Sequence, residues 1–184
     1  WPAGIAQESF SLKDAAKLLE EIAYYCPEID IQSSNMPECA SVQGAHDGWM
    51  ASRIYFTKFT AYSFWPRDSD HVFGCDSVRN SSFLVNCYNS YKLTRCFEAD
   101  TSQSCTGSYF IHNCENVQDS MFCFNAKNLR YAIGNFEVGR EEYLRVKKLL
   151  LGYVNSELER KGGLDVDIYS IGTPTKTDNR TKAG

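Results

Sequence analysis

Cysteine recurs every nine residues through the middle of the chain, at Cys87, Cys96, Cys105, Cys114 and Cys123, and Val78 and Ala132 continue the column at its two ends. A fixed period constrains the fold strongly, because self-similarity of this kind marks an architecture whose units bury their faces only against their neighbours. Three positions of the nine-residue block are small or apolar. The first is the cysteine column, the fourth runs Ser81, Ser90, Ala99, Ser108, Val117, Ala126, and the seventh runs Leu84, Leu93, Ser102, Ile111, Ser120, Leu129. The third position runs Asn80, Asn89, Glu98, Gly107, Asn116, Asn125, Gly134. Asn and Gly tolerate positive φ, so this column reads as a recurring bend.

Small inward residues with a bend at each block suit neither the 3.6-residue period of a helix nor the plain alternation of a flat strand. They predict a mainly β chain: a short parallel β-solenoid with a Cys-lined core. One block is too short to enclose a core, so two blocks, about eighteen residues per coil, are expected. That spacing stacks Cys87 on Cys105 on Cys123, Cys96 on Cys114 and Tyr91 on Tyr109, in ladders about 4.8 Å apart. Upstream, steps of nine reach Ser69, Thr60, Ala51 and Val72, Ser63, Ile54, while the bend column there reads His71, Tyr62, Arg53 and loses its Asn/Gly character.

The flanks divide the chain. Residues 1–48 read as an N-terminal amphipathic helix and an irregular segment. Ser11 is the helix N-cap, Leu12, Ala15, Leu19, Ile22 and Ala23 form its apolar side, and Pro27 ends it near Tyr25. Residues 49–135 hold the solenoid. Residues 136–171 hold a C-terminal amphipathic helix, with an apolar stripe of Val146, Leu149, Leu150, Tyr153, Val154 and Leu158 and a stop at Gly162-Gly163, followed by a short strand. An open solenoid end exposes core and strand edge, so this helix is expected to cap it. Residues 172–184 are polar and read as a disordered tail.

The net charge is −4 with a pI near 5.4 and no basic run, which gives no electrostatic basis for binding nucleic acid or an anionic membrane. No apolar run approaches the roughly 20 residues of a membrane span. The first residue is Trp1, so the chain reads as a processed form or a segment of something longer. Of the eight cysteines, five share the inward column, where free Cys acts as a small hydrophobe. Reduced, buried, structural thiols are expected, hence a reducing compartment, the cytoplasm or an assembly built there. Disulfides and thiolate metal binding are the weaker alternatives, and no C-x-x-C pair of the kind structural zinc sites use is present.

The closing stretch Asn128-Leu129-Arg130-Tyr131-Ala132-Ile133-Gly134-Asn135, followed by Glu141-Glu142-Tyr143, resembles a group of uncharacterised proteins of environmental bacteria, archaea and viruses. These carry short Cys/Asn-rich repeats and a Leu-Arg-x-Tyr…Asn…Glu-Glu-Tyr closing segment. The resemblance spans residues 75–151 and implies a repeat fold. It implies no activity and no catalytic residue, and the paired cysteines common in that group are missing here.

Candidate chemistry is sparse. No G-x-S-x-G, P-loop, H-E-x-x-H or G-x-G-x-x-G occurs. His46-Asp47 and Asp70-His71 place imidazole beside carboxylate, but neighbours in extended structure point to opposite faces, so neither pair is expected to form a dyad. His112 reads as outward. No catalytic, cofactor-binding or metal-binding residue is assigned, and no cofactor is expected. The outward columns carry aromatics at Tyr88, Tyr91, Phe97, Tyr109, Phe110 and Phe124, a contact surface for a partner subunit or for the flanking helices. The expectation is a non-enzymatic structural or assembly module that contacts protein subunits in an oligomer or larger complex, such as a virion. A carbohydrate-binding or carbohydrate-acting solenoid and a thiolate metal protein are the alternatives.

Overall fold

The computed structural model of the chain describes residues 30–171. Its backbone repeats every three residues. In each triplet the first side chain points inward, as at Val72, Cys75, Val78, Ser81, Leu84, Cys87 and onward to Ala126. The third residue takes the left-handed conformation, as at Gly74, Ser77, Asn80, Phe83, Asn86 and Asn89, with φ between 47° and 62°. Each left-handed residue turns the chain, and four turns close one coil.

The strands are β1 (Asp30–Ile31), β2 (Ala40–Gln43), β3 (His46–Trp49), β4 (Ser52–Tyr55), β5 (Lys58–Ala61), β6 (Asp70–Phe73), β7 (Ser82–Tyr88), β8 (Thr94–Asp100) and β9 (Tyr109–His112). All pair in parallel, in a sheet of order β3-β5-β6-β7-β8-β9 and one of order β1-β2-β4. The register is constant at twelve residues, from Asp30↔Val42 through Leu84↔Cys96 to the bridge Met121↔Ile133. The middle residue of a triplet donates its N–H to the coil above, as Asp76 does to the Cys87 carbonyl at 3.0 Å. The left-handed residue donates to the coil below, as Asn89 does to the Asp76 carbonyl at 2.9 Å.

The core follows from this geometry. Four inward side chains per coil leave a narrow interior that small residues fill. Buried Ser and Cys also serve the backbone: the N–H groups of Cys75, Ser81, Leu93, Ser102, Cys114 and Ala132 donate to the Ser hydroxyl twelve residues earlier at 3.0–3.2 Å, and Cys87 donates to the Cys75 sulfur at 3.2 Å. A buried N–H left unpaired costs about 1–3 kcal/mol, so these hydroxyls are structural. Thr57 and Thr60 are exceptions, with buried hydroxyls that have no partner among the described residues.

Several sequence-based expectations change. The coil has twelve residues, not eighteen. Cys87 stacks between Cys75 and Ala99, Cys96 lies above Leu84, and Tyr91 lies between Arg79 and Gln103 rather than on Tyr109. Nine is a multiple of three but not of twelve, so the thiols all point inward while stepping back one side per coil. Each bonds diagonally: Cys87, Cys96, Cys105 and Cys114 donate to the carbonyls of Cys96, Cys105, Cys114 and Cys123 at 3.3–3.7 Å. The coil also starts earlier than residue 49, since β1 already pairs with β2. His71, Tyr62 and Arg53 are left-handed despite their side chains, with φ of 50°, 50° and 54°. The predicted helix at residues 11–25 and the predicted tail at 172–184 lie outside the described residues.

The last coil closes with a hairpin of β10 (Ala132–Ile133) and β11 (Phe136–Glu137), paired antiparallel. The Asn135 amide accepts the Phe124 N–H at 2.9 Å and donates to the Phe124 carbonyl at 2.8 Å, standing in for the next coil. Helix α1 (Arg140–Lys161) follows and ends at left-handed Gly162. It does not cap the end; it lies along the side, where the Tyr143 hydroxyl donates to the Gly107 carbonyl at 3.0 Å. Tyr143 and Val154 are buried, while Leu149, Tyr153 and Leu158 of the expected stripe are exposed. Residues 164–171 form no strand and end in a turn at 168–171: the Ile168 N–H donates to Glu98 at 2.8 Å, and Tyr169 packs on Tyr88 with ring centroids 5.4 Å apart.

Two outcomes are expected. Burial raises the thiol of Cys96 to about 11 and that of Cys105 to about 12, so iodoacetamide should label the buried thiols only after denaturation; rapid native labelling of Cys96 would contradict this. Ser104 is left-handed at φ 55°, directly below Asn116, whose side-chain amide donates to Asn128 at 2.7 Å. Ser104→Asn should extend this ladder by one rung and stabilise the fold by about 0.5–1 kcal/mol in urea titrations.

Candidate functional site

One side of the coil carries most of its exposed large apolar residues. Its middle column runs Trp49, Ala61, Phe73, Val85, Phe97, Tyr109, Met121, Ile133, and the adjoining left-handed column runs Met50, Tyr62, Gly74, Asn86, Glu98, Phe110, Phe122, Gly134. Among the described residues the charged members of these columns are Glu98 and, one coil before Met50, Glu38. The opposite edge carries a stack in which His71 lies between Phe59 and Phe83, with ring centroids 4.8 and 4.5 Å apart.

The chain covers the C-terminal half of this side itself. Phe110 is 2% exposed and packs against Phe97 and Phe122. Lys147 of α1 lies 5.1 Å from the Tyr109 ring. Glu98 is buried, where it accepts hydrogen bonds from the Asn86 amide and the Ile168 N–H, both at 2.8 Å. Among the described residues the N-terminal half stays open: Trp49, Met50, Phe59, Tyr62, Phe73, Phe83 and Val85 are all exposed.

The next side holds a second arrangement. Ser52, Phe64, Asp76, Tyr88 and then Asp100, His112 and Phe124 occupy successive coils of one column. Aromatic and acidic residues alternate in its first part. An open groove of about 640 Å³ runs along the corner there, lined by Met50, Tyr62, Phe64 and Tyr88 with Glu38 and Asp76. Farther along, the His112 Nδ1 lies 2.9 Å from a carboxylate oxygen of Asp100, which is buried while the imidazole is 41% exposed.

The expected contact residues thus divide. Phe97, Tyr109 and Phe110 pack under or beside the C-terminal segment, and Tyr88 packs on Tyr169. Tyr91 is half-buried between the Arg79 and Lys92 side chains, and Phe124 is half-buried at the closing coil. The five column cysteines are core residues. Two histidines do pair with carboxylates. Besides His112, the His71 Nδ1 lies 2.8 Å from its neighbour Asp70, because the left-handed backbone at His71 removes the alternation that would separate them. The open aromatic half-face was missed. Its signal lies at a spacing of twelve, where Trp49, Phe73, Val85 and Phe97 fall into one uncharged column. Among the described residues no group of three or more His, Cys, Asp and Glu is placed to hold a metal ion, and no helix is long and apolar enough to cross a membrane.

Burial raises the Glu98 carboxyl above its ordinary range, against the opposing hydrogen bonds from Asn86 and Ile168. The folded state therefore holds this proton more tightly than the unfolded chain. The resulting stability is full below the ordinary carboxyl range and is lost as pH rises through the raised value. Glu98→Gln should remove that slope, so that its stability relative to the unsubstituted chain improves as pH rises through and above the ordinary carboxyl range; parallel curves in denaturant titrations would contradict the assignment. No protein-family model matches the chain, and no curated protein matches its sequence.

Proposed function

We propose that the chain is a non-enzymatic structural module, a stiff solenoid that seats a partner subunit on the open half of its aromatic side, within an oligomer or a larger assembly such as a virion. The carrying observation is the exposure of Trp49, Tyr62, Phe73 and Val85 on a side whose other half is already used for packing. Contiguous exposed apolar surface of this kind marks contact sites. Rigidity supports the reading: the constant twelve-residue register lets every coil brace its neighbours, so the open side is presented as a flat, preformed surface.

Size-exclusion chromatography with light scattering tests this. The chain should elute as an oligomer or bound to a partner, and Trp49→Lys with Phe73→Lys should shift it to the monomer mass while leaving its melting cooperative. A monodisperse monomer of 20.9 kDa that associates with nothing would reject the reading.

A further inference from the structure

We propose that the corner groove beside the aromatic side binds an unbranched, neutral glycan. The groove shares Met50 and Tyr62 with the open aromatic side, but glycan binding there does not require the assembly role. Phe64, Asp76 and Tyr88 follow one another on successive coils. With parallel strands about 4.8 Å apart, the backbone positions of the two aromatics are about 10 Å apart along the groove, with that of the carboxylate between them. That distance suits two sugars of an extended chain. A pyranose offers an apolar C–H face to an aromatic ring and a rim of hydroxyl donors to a carboxylate, and the column supplies these partners alternately.

The rest of the groove fits the same ligand. Tyr62 is 64% and Phe64 44% exposed, so the chain's described residues do not fill it. Tyr88 is backed by Tyr169, which holds one end of the groove in place. Burial raises the Tyr88 phenol to about 12, so at neutral pH its hydroxyl is protonated and able to donate. Among the described residues, the charged groups lining the groove are Glu38 and Asp76, with no Lys or Arg. That charge disfavours uronic-acid chains, sulfated glycans and phosphates. The nearest cation over an aromatic wall, Arg53, lies 5.8 Å from the Phe64 ring.

The test is calorimetric titration of the full chain with linear hexasaccharides of glucose (β-1,4 and α-1,4) and of N-acetylglucosamine, and with an oligogalacturonate as the anionic control. One neutral hexasaccharide should bind in the micromolar to millimolar range and the oligogalacturonate should not. Phe64→Ala should weaken binding about tenfold or more, and Asp76→Asn, a surface change that preserves shape, should weaken it severalfold. Phe73→Ala, which lies on the apolar side and not in the groove, should leave it unchanged. Absence of binding by every neutral hexasaccharide at millimolar concentration would overturn the proposal. So would an affinity unaffected by both Phe64→Ala and Asp76→Asn in variants that melt cooperatively. Because Phe64 and Asp76 belong to the groove and Phe73 to the apolar side, loss of glycan binding and loss of assembly are separable.

Discussion

The left-handed residue at every third position is the constraint on which the molecule depends. For a side chain other than Gly, Asn or Asp this conformation is unfavourable by roughly 1–2 kcal/mol, yet Phe59, Tyr62, Trp65, Phe83 and Arg95 all adopt it. The offset is the backbone ladder. Within each triplet one N–H reaches up a coil and the next reaches down, so a residue that left this conformation would break bonds to both neighbouring coils. Cooperation between coils, rather than local preference, holds the bends.

The same geometry explains why the interior tolerates polar atoms. Backbone N–H groups that face inward need an acceptor that fits within a coil of four small side chains. Serine supplies it, and at Cys75 the sulfur does. Cysteine elsewhere fills volume and turns its weak donor toward the carbonyl one side over. A larger apolar residue at Ser90 or Ser102 would leave the N–H above it unpaired, so the alternation of Ser, Cys and Leu is an accounting of hydrogen bonds as much as of volume.

How much of this was legible follows from which residues were read. The inward columns and the bends at Asn80, Asn89, Asn116 and Asn125 were visible because Asn and Cys mark them. The bends at Phe83, Lys92 and Arg95 were not, since those side chains carry no conformational preference for a turn. The coil length was misjudged because the conspicuous thiols recur at nine, whereas the twelve-residue pairs that report the true register, Ser69 with Ser81, Thr94 with Thr106 and Asn116 with Asn128, are individually unremarkable. The site was less legible than the fold. The outward position of Phe97 and Phe110 could be read, but not their cover by the chain's own C-terminal segment, which depends on contacts such as Tyr143 with Gly107 that are far apart in sequence.

Two counts therefore run along this chain at once. Whether a side chain enters the core depends on position modulo three; which wall of the coil it decorates depends on position modulo twelve. An insertion of three residues would preserve the interior yet rotate everything downstream by a quarter turn, carrying the landing strip of α1 away from Trp49 and Phe73. An insertion of twelve would lengthen the column and keep its walls aligned. Lineages of such chains should drift in length by whole coils wherever the outside matters, and by single triplets only where it does not.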